Sequence, residues 1–244
     1  MKLASFDLEI CDELNSSDPT FVPRISCAAV ALNDESETLK FWTNPDGLSM
    51  TTEYIHEMVN DLARLVEEGY TLLTWNGVAF DFKVVEHYAV DLSPLVRSMS
   101  WLNHIDMMLL VSFQKGHFLG LDTALAGHNI GSKLHQVTLS DGTVLTDMSG
   151  AKAPELWRRG ERQAVLQYLT VDVQRPLELA NDIHKVKHLE WTSKSGRPQF
   201  CTCDLYTVEQ AFITLPEPRD TSWMSDPIDR RTFINKYLPG VLEG

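Results

Sequence analysis

The sequence predicts a mixed α/β protein, with helices on both faces of its sheet and a small C-terminal appendage. Three observations predict it. Three apolar runs come first, joined by short polar connections; helices and strands then alternate; and beyond residue 188 the texture changes to short segments punctuated by Pro and Gly.

The elements follow in order. Residues 2–11, 24–33 and 38–44 read as three strands, and their short connections make an antiparallel meander the simplest pairing. TTEYIHEMVNDLARLVEEG, 51–69, has apolar residues at helical spacing, with Thr51 or Thr52 as its cap and Gly69 as its stop. YTLLTW, 70–75, is a short apolar strand followed by Asn76-Gly77 and a helix to about residue 90. WLNHI, 101–105, reads as another strand with Asp106 at its end, ahead of the helix MMLLVSFQ. LDTALAGHN is a short helix, and QVTLSDGTVLT, 136–146, is a hairpin about the turn Asp141-Gly142, read first as a solvent-exposed connector and second as a projection near the site. One long helix is expected over 153–188. WTSKSGRPQFCTC then reads as a hairpin, LPEPRDTSWMSDP as a connector and IDRRTFINKYL as a final helix. Ligands of such sheets gather at the carboxyl ends of the strands.

With 244 residues, 43% of them hydrophobic, the chain can bury a sizeable core. The N-terminus reads as no signal peptide and no apolar run is long enough to span a bilayer, so a cytoplasmic protein is expected, with no membrane partner. Cys11, Cys27, Cys201 and Cys203 are too few for a disulfide framework. Cys201 and Cys203 could complete a zinc tetrahedron with His184 and His188, although C-x-C is not the usual spacing and a packed strand is the simpler reading. A net charge of −13 argues against a protein that holds duplex nucleic acid by massed phosphate neutralisation. It leaves open nucleic-acid chemistry through bound metal ions. The local basic clusters, Arg158, Arg159 and Arg162, then Arg230, Arg231 and Lys236, read as solvated helix faces.

The functional signal is a set of three spacings. Asp7 and Glu9 lie two apart on the first strand and so share one face, which suits a hard divalent cation as well as it suits a solvated acidic side. In Asn76-Gly-Val-Ala-Phe80-Asp81 a carboxylate falls on the first turn of a helix just past a strand end. Tyr168 and Asp172, four apart in the long helix, share a helical face. Taken singly, each has an ordinary structural explanation.

Together, D-x-E, N-x-x-x-F-D and Y-x-x-x-D resemble the DEDD exonucleases of the RNase H-like superfamily, in the tyrosine-containing (DEDDy) branch that includes family B polymerase proofreading domains and RNase D. His104-Ile-Asp106 and Gly120-Leu-Asp-Thr-Ala-Leu-Ala add to the likeness, which covers 1–188 and leaves 189–244 as the appendage. The resemblance implies an RNase H-like sheet of three antiparallel and two parallel strands. It implies a metal-dependent 3′ to 5′ exonuclease releasing nucleoside 5′-monophosphates from single-stranded ends, with DNA slightly favoured over RNA. Such chemistry needs charge stabilisation on attacking and leaving oxygens, which two metals about 4 Å apart supply. By resemblance Asp7 bridges two Mg²⁺ ions, for which Mn²⁺ substitutes, Glu9 and Asp172 hold one of them, and Asp81 supports the other largely through water. Tyr168 would position water, because a phenol titrating near pH 10 is a poor base at neutral pH. Leu8, Asn76 and Phe80 match substrate-contacting positions, with core packing an equal alternative for Phe80, while Asp106 reads as a helix cap. Partners would be single-stranded DNA or RNA 3′ ends, and a polymerase, helicase or other nucleic-acid-binding protein that lends affinity. The rival readings are an RNA-processing or oligoribonuclease-type enzyme and a non-catalytic interaction module on the same fold.

Overall fold

A computed structural model describes all residues except 15–17, 19, 35–37 and 244. The chain begins with strands β1 (Leu3–Ile10), β2 (Ile25–Leu32) and β3 (Leu39–Thr43), then helix α1 (Thr52–Glu67), strand β4 (Thr71–Thr74) and helices α2 (Asp81–Tyr88) and α3 (Ser93–Leu102). Strand β5 (His104–Asp106) follows, then helices α4 (Met107–Lys115) and α5 (Leu121–Gly127), the small hairpin β6 (Val137–Thr138) and β7 (Val144–Leu145), and helices α6 (Ala153–Arg158) and α7 (Arg162–Val186). The C-terminal part holds a second hairpin, β8 (His188–Thr192) and β9 (Pro198–Thr202), and helices α8 (Val208–Thr214) and α9 (Arg230–Tyr237).

The main sheet has the order β3-β2-β1-β4-β5. β1 pairs antiparallel with β2 and β2 with β3, whereas β4 runs parallel to both β1 and β5. This is the expected mixed sheet. It puts β1 at the centre, with the carboxyl ends of β1 and β4 side by side.

Strand alternation divides the interior in two. Ala4, Phe6, Leu8 and Ile10 of β1 join α1, α2 and α3 in one core, while Leu3 and Cys11 face the other, built on α4, α5 and α7. Asp7 and Glu9 have the parity of the second set, so they face α7. Full burial of residues such as Phe6, Ile55 and Met58 stabilises the fold by roughly 1.5–3 kcal/mol each, which offsets the cost of acidic groups brought into the same interior. The C-terminal part shares the second core: Leu189, Trp191, Cys203, Val208 and Ile234 are buried against it.

Several boundaries differ from the sequence expectations. The helix expected over 153–188 is two, because Gly160 takes a left-handed φ of 86° and its N–H turns back to the Trp157 carbonyl. The second ends at Val186 with Lys187 left-handed, so His188 opens β8 and pairs with Thr202. The strand expected over 101–105 is shorter and later. α3 runs through Leu102, with Pro94 in its first turn and Val96, Met99 and Trp101 buried, and leaves His104–Asp106 to pair with β4. α8 was not expected, although Thr207 and Gln210 form its capping box. Cys201 and Cys203 are buried, and burial raises both thiols. Among the described residues they do not gather with His184 and His188, so the zinc alternative is set aside for the packed strand.

Candidate active site

Asp7 and Glu9 stand near the carboxyl end of β1, where the pairing with β2 slips between Glu9 and Ile10 and re-aims the strand. Opposite them α7 presents Tyr168 and Asp172 from adjacent turns, both buried. One carboxylate oxygen from each of Asp7, Glu9 and Asp172 lies within 4.8 Å of the others. Asp81 enters from α2: its Oδ1 accepts the Leu8 backbone N–H at 3.1 Å, tying the helix start to β1. All four carboxylates line one cleft of about 520 Å³, together with Leu8, Trp75, Asn76, Phe80, Lys133 and Tyr168.

The loop between β4 and α2 shapes one wall. Asn76 has a left-handed φ of 75°, and a Cβ on Gly77 would fall 2.3 Å from the Thr74 hydroxyl, so only glycine fits there. Asp106 holds this loop from below, accepting N–H groups of Asn76 at 2.9 Å and Val78 at 3.1 Å while capping α4 through Met108. The helix-cap reading of Asp106 is therefore correct, with two loop bonds added. Phe80 packs partly on the first core and also lines the cleft.

The electrostatics are those of an acidic site short of cations. Burial, then the neighbouring Asp81, Asp172 and Glu9, holds Asp7 well above the usual carboxylate range. Burial and Asp172 do the same to Glu9, with Lys133 opposing. Burial pushes Asp81 up to about 7 against the Leu8 N–H. Burial also raises Asp172, opposed by Lys133, and one of its oxygens, Oδ1, is buried with no hydrogen-bond partner. Tyr168 is raised by burial and by Asp172, so the phenol keeps its proton at neutral pH. Three convergent carboxylates with an unpartnered oxygen fit a hard divalent cation.

Lys133 is the member the sequence reading missed. Its Nζ lies 2.7 Å from Asp172 Oδ2 and 5.2 Å from the centre of the Tyr168 ring. Burial works against its charge, but Asp172, Tyr168 and Asp7 outweigh that and raise it. It sits in a coil between α5 and β6, where no periodicity or motif singles out a lysine. Trp75, also missed, lines the cleft and donates its indole N–H to the Leu119 carbonyl at 3.1 Å.

The 136–146 hairpin forms, though with only two residues per strand, and Ser140 ties it to Glu161 just ahead of α7. The basic cluster Arg158, Arg159 and Arg162 is engaged inside the protein. Arg158 pairs with Glu13, Arg159 with Glu155, and Arg162 binds the carbonyls of Asn44, Pro45 and Gly47.

The fold is similar to that of the family B DNA polymerase from the hyperthermophilic archaeon Pyrobaculum calidifontis, at 18% identity and a TM-score of 0.55, over 75% of this chain and 24% of that one. It is also similar to Trypanosoma brucei RNase D in its GMP complex, at 14% identity and a TM-score of 0.53, over 97% of this chain and 65% of that one. The chain thus spans about a quarter of the polymerase and less than two thirds of RNase D. At these identities the likeness is one of fold, a five-stranded mixed sheet flanked by helices. No family model and no curated protein matches the chain. No helix among the described residues is long and apolar enough to cross a membrane.

Proposed function

We propose that this protein is a metal-dependent 3′ to 5′ exonuclease of the tyrosine-containing DEDD type, acting on single-stranded nucleic-acid ends. The observation that carries the reading is the convergence of Asp7, Glu9 and Asp172 in one cleft with Asp81, where Asp172 keeps an unpartnered buried oxygen. Two Mg²⁺ ions, with Mn²⁺ as substitute, would stabilise charge on the attacking and leaving oxygens. Asp7, Glu9 and Asp172 would hold one ion, and Asp7 with Asp81 the other.

The remaining work falls to the chain's own groups. Tyr168 stays a phenol and orients the attacking water rather than taking its proton. Lys133 offsets the negative charge of the cluster from beside Asp172. Asn76 and Phe80 border the cleft where a terminal nucleotide would lie, with Leu8 beneath. Residues 1–188 form the catalytic unit in this reading, and 189–244 brace it.

DNA remains slightly favoured over RNA on the form of the motifs, while the likeness to RNase D over 97% of the chain keeps an RNA substrate as the second reading. A non-catalytic module would be expected to lose carboxylates, and here all four are present. Labelled single-stranded and 3′-tailed DNA and RNA, incubated with Mg²⁺ or Mn²⁺, test the proposal. Nucleoside 5′-monophosphates released stepwise from the 3′ end, and stopped by EDTA, are expected. Intact substrates under every condition would overturn it.

A further inference from the structure

The last helix carries one buried, paired arginine and one exposed lysine that the described residues leave without a carboxylate partner. Arg230, read from the sequence as part of a solvated helix face, is instead buried: its guanidinium donates to the carbonyls of Phe212, Leu215 and Phe113 and pairs with Glu217 at 2.8 Å. Lys236 is exposed, and its Nζ stands 4.9 Å from the centre of the Tyr237 ring. The exposed Lys83, from α2, reaches the same ring at 5.8 Å. Two ammonium groups from separate elements thus converge on one phenol ring. Among the described residues neither has a carboxylate within ion-pair distance, although the chain carries 34 acidic residues and only 21 Lys and Arg. The ring attracts each ammonium, but it does not neutralise their mutual repulsion. A bridging anion would.

This surface connects to the cleft. Trp75 lines the cleft and bonds the Leu119 carbonyl. The neighbouring Phe118 is 54% exposed and packs edge-on against Phe233 at 6.2 Å. Phe233 in turn lies 4.7 Å from Tyr237. An exposed aromatic ring, a half-buried phenol and two unpaired ammoniums therefore lie along one run of contacts that starts at the cleft wall. Aromatic faces for bases, with cations for phosphates, are the elements of a single-strand surface.

We propose that Phe118, Tyr237, Lys83 and Lys236 bind the single-stranded stretch of nucleic acid lying 5′ of the terminus held in the cleft, so that the C-terminal helix contributes to substrate affinity. The inference rests on the exonuclease reading for its direction along the strand. With the rest of the chain strongly acidic, these cations carry a disproportionate share of phosphate contact.

The test uses the full chain with both Lys83 and Lys236 replaced by Ser, and separately with Phe118→Ala. Anisotropy of a 5′-labelled single strand of about twelve nucleotides in EDTA reports binding without turnover. The double variant is expected to bind on the order of tenfold more weakly, with a log–log salt slope shallower by about 1.4 for two lost phosphate contacts. Phe118→Ala should weaken binding roughly fivefold to a hundredfold through lost stacking, with the salt slope kept. With metal added, hydrolysis of a dinucleotide, too short to reach this surface, should match wild type in both variants. Unchanged affinity and slope in the double variant would overturn the proposal, as would a parallel loss on the dinucleotide. Lysine-dependent binding by a protein that hydrolyses nothing would sink the nuclease reading and leave this surface standing.

Discussion

Two buried carboxylates, Asp106 and Asp172, are treated in opposite ways by the same fold. Asp106 lies at the end of β5 and receives the N–H groups of Asn76, Val78 and Met108. Asp172 lies on α7 with one oxygen held by Lys133 and the other bonded to nothing. Burial raises both, Asp106 to about 6 against its backbone donors. The difference lies in what satisfies them. Backbone donors fixed by a loop and a helix start make Asp106 part of the scaffold, whereas an acceptor left open beside two further carboxylates leaves room for a cation or a proton to compensate it.

The largest expected effects separate these two groups. Asp172→Ala or Asp7→Ala should abolish hydrolysis, a loss of about three orders of magnitude or more, because on the proposed reading either removes a metal ligand. Metal-free melting should hold or rise in Asp7→Ala, since like-charge repulsion is relieved. Asp106→Ala should instead destabilise by about 3 kcal/mol, as three N–H groups, two of them buried and that of Asn76 partly so, lose their acceptor. Thermal melts with and without Mg²⁺, set beside rates, check both. Near wild-type hydrolysis in Asp172→Ala would end the assignment.

A step smaller is Tyr168→Phe, expected to lower the rate roughly tenfold to a thousandfold while the pH–rate profile keeps its shape. A vanished ionisation limb would show that the phenol itself titrates in the mechanism, against the direction burial gives it.

Lys133→Met sharpens the comparison from the other side. Without its ammonium Asp172 Oδ2 also loses its partner, so the metal-free protein should melt several degrees lower, and Mg²⁺ should restore stability at a severalfold lower concentration. Calorimetric titration of the ion reads the second change. Weaker Mg²⁺ binding in the variant would mean that Lys133 supports the ion rather than offsetting its absence.

The smallest effect is on pH. Asp81, with its folded-state value up near 7 against about 3.9 unfolded, binds a proton more readily when folded. Its contribution to stability is therefore present at low pH and lost as pH rises through about 7. Asp7 and Glu9 act in the same sense. Metal-free melting should rise as pH falls from about 8 to about 6.5, and Mg²⁺ should flatten the trend. Below that, His104, pushed down to about 3 by burial, opposes it, because the unfolded chain takes up the proton that the buried ring refuses. A melting temperature independent of pH over the upper window would contradict the buried, uncompensated state of these carboxylates.

Local spacing determined much of this protein. A two-residue repeat on a strand obliges Asp7 and Glu9 to share a face, and a four-residue repeat on a helix does the same for Tyr168 and Asp172, whatever else the chain does. The order of apolar runs likewise carried the antiparallel meander and the mixed α/β class, the two parallel strands were implied by the resemblance of the motifs, and the Asp141-Gly142 turn carried its hairpin. Where apolar content stood in for periodicity the reading slipped. Trp101 and Leu102 end a helix rather than begin a strand, and Gly160 breaks a helix whose apolar residues continue on its far side. What only the tertiary structure decided is which distant pieces meet. Lys133 reaches Asp172 from a coil with no pattern, Asp106 holds a loop some thirty residues upstream, and Lys83 and Lys236 come to one ring from helices far apart in sequence. The reason is physical: periodicity encodes the face a side chain takes on its own element, while its neighbours across space depend on how the elements pack, and no short window of sequence contains that information.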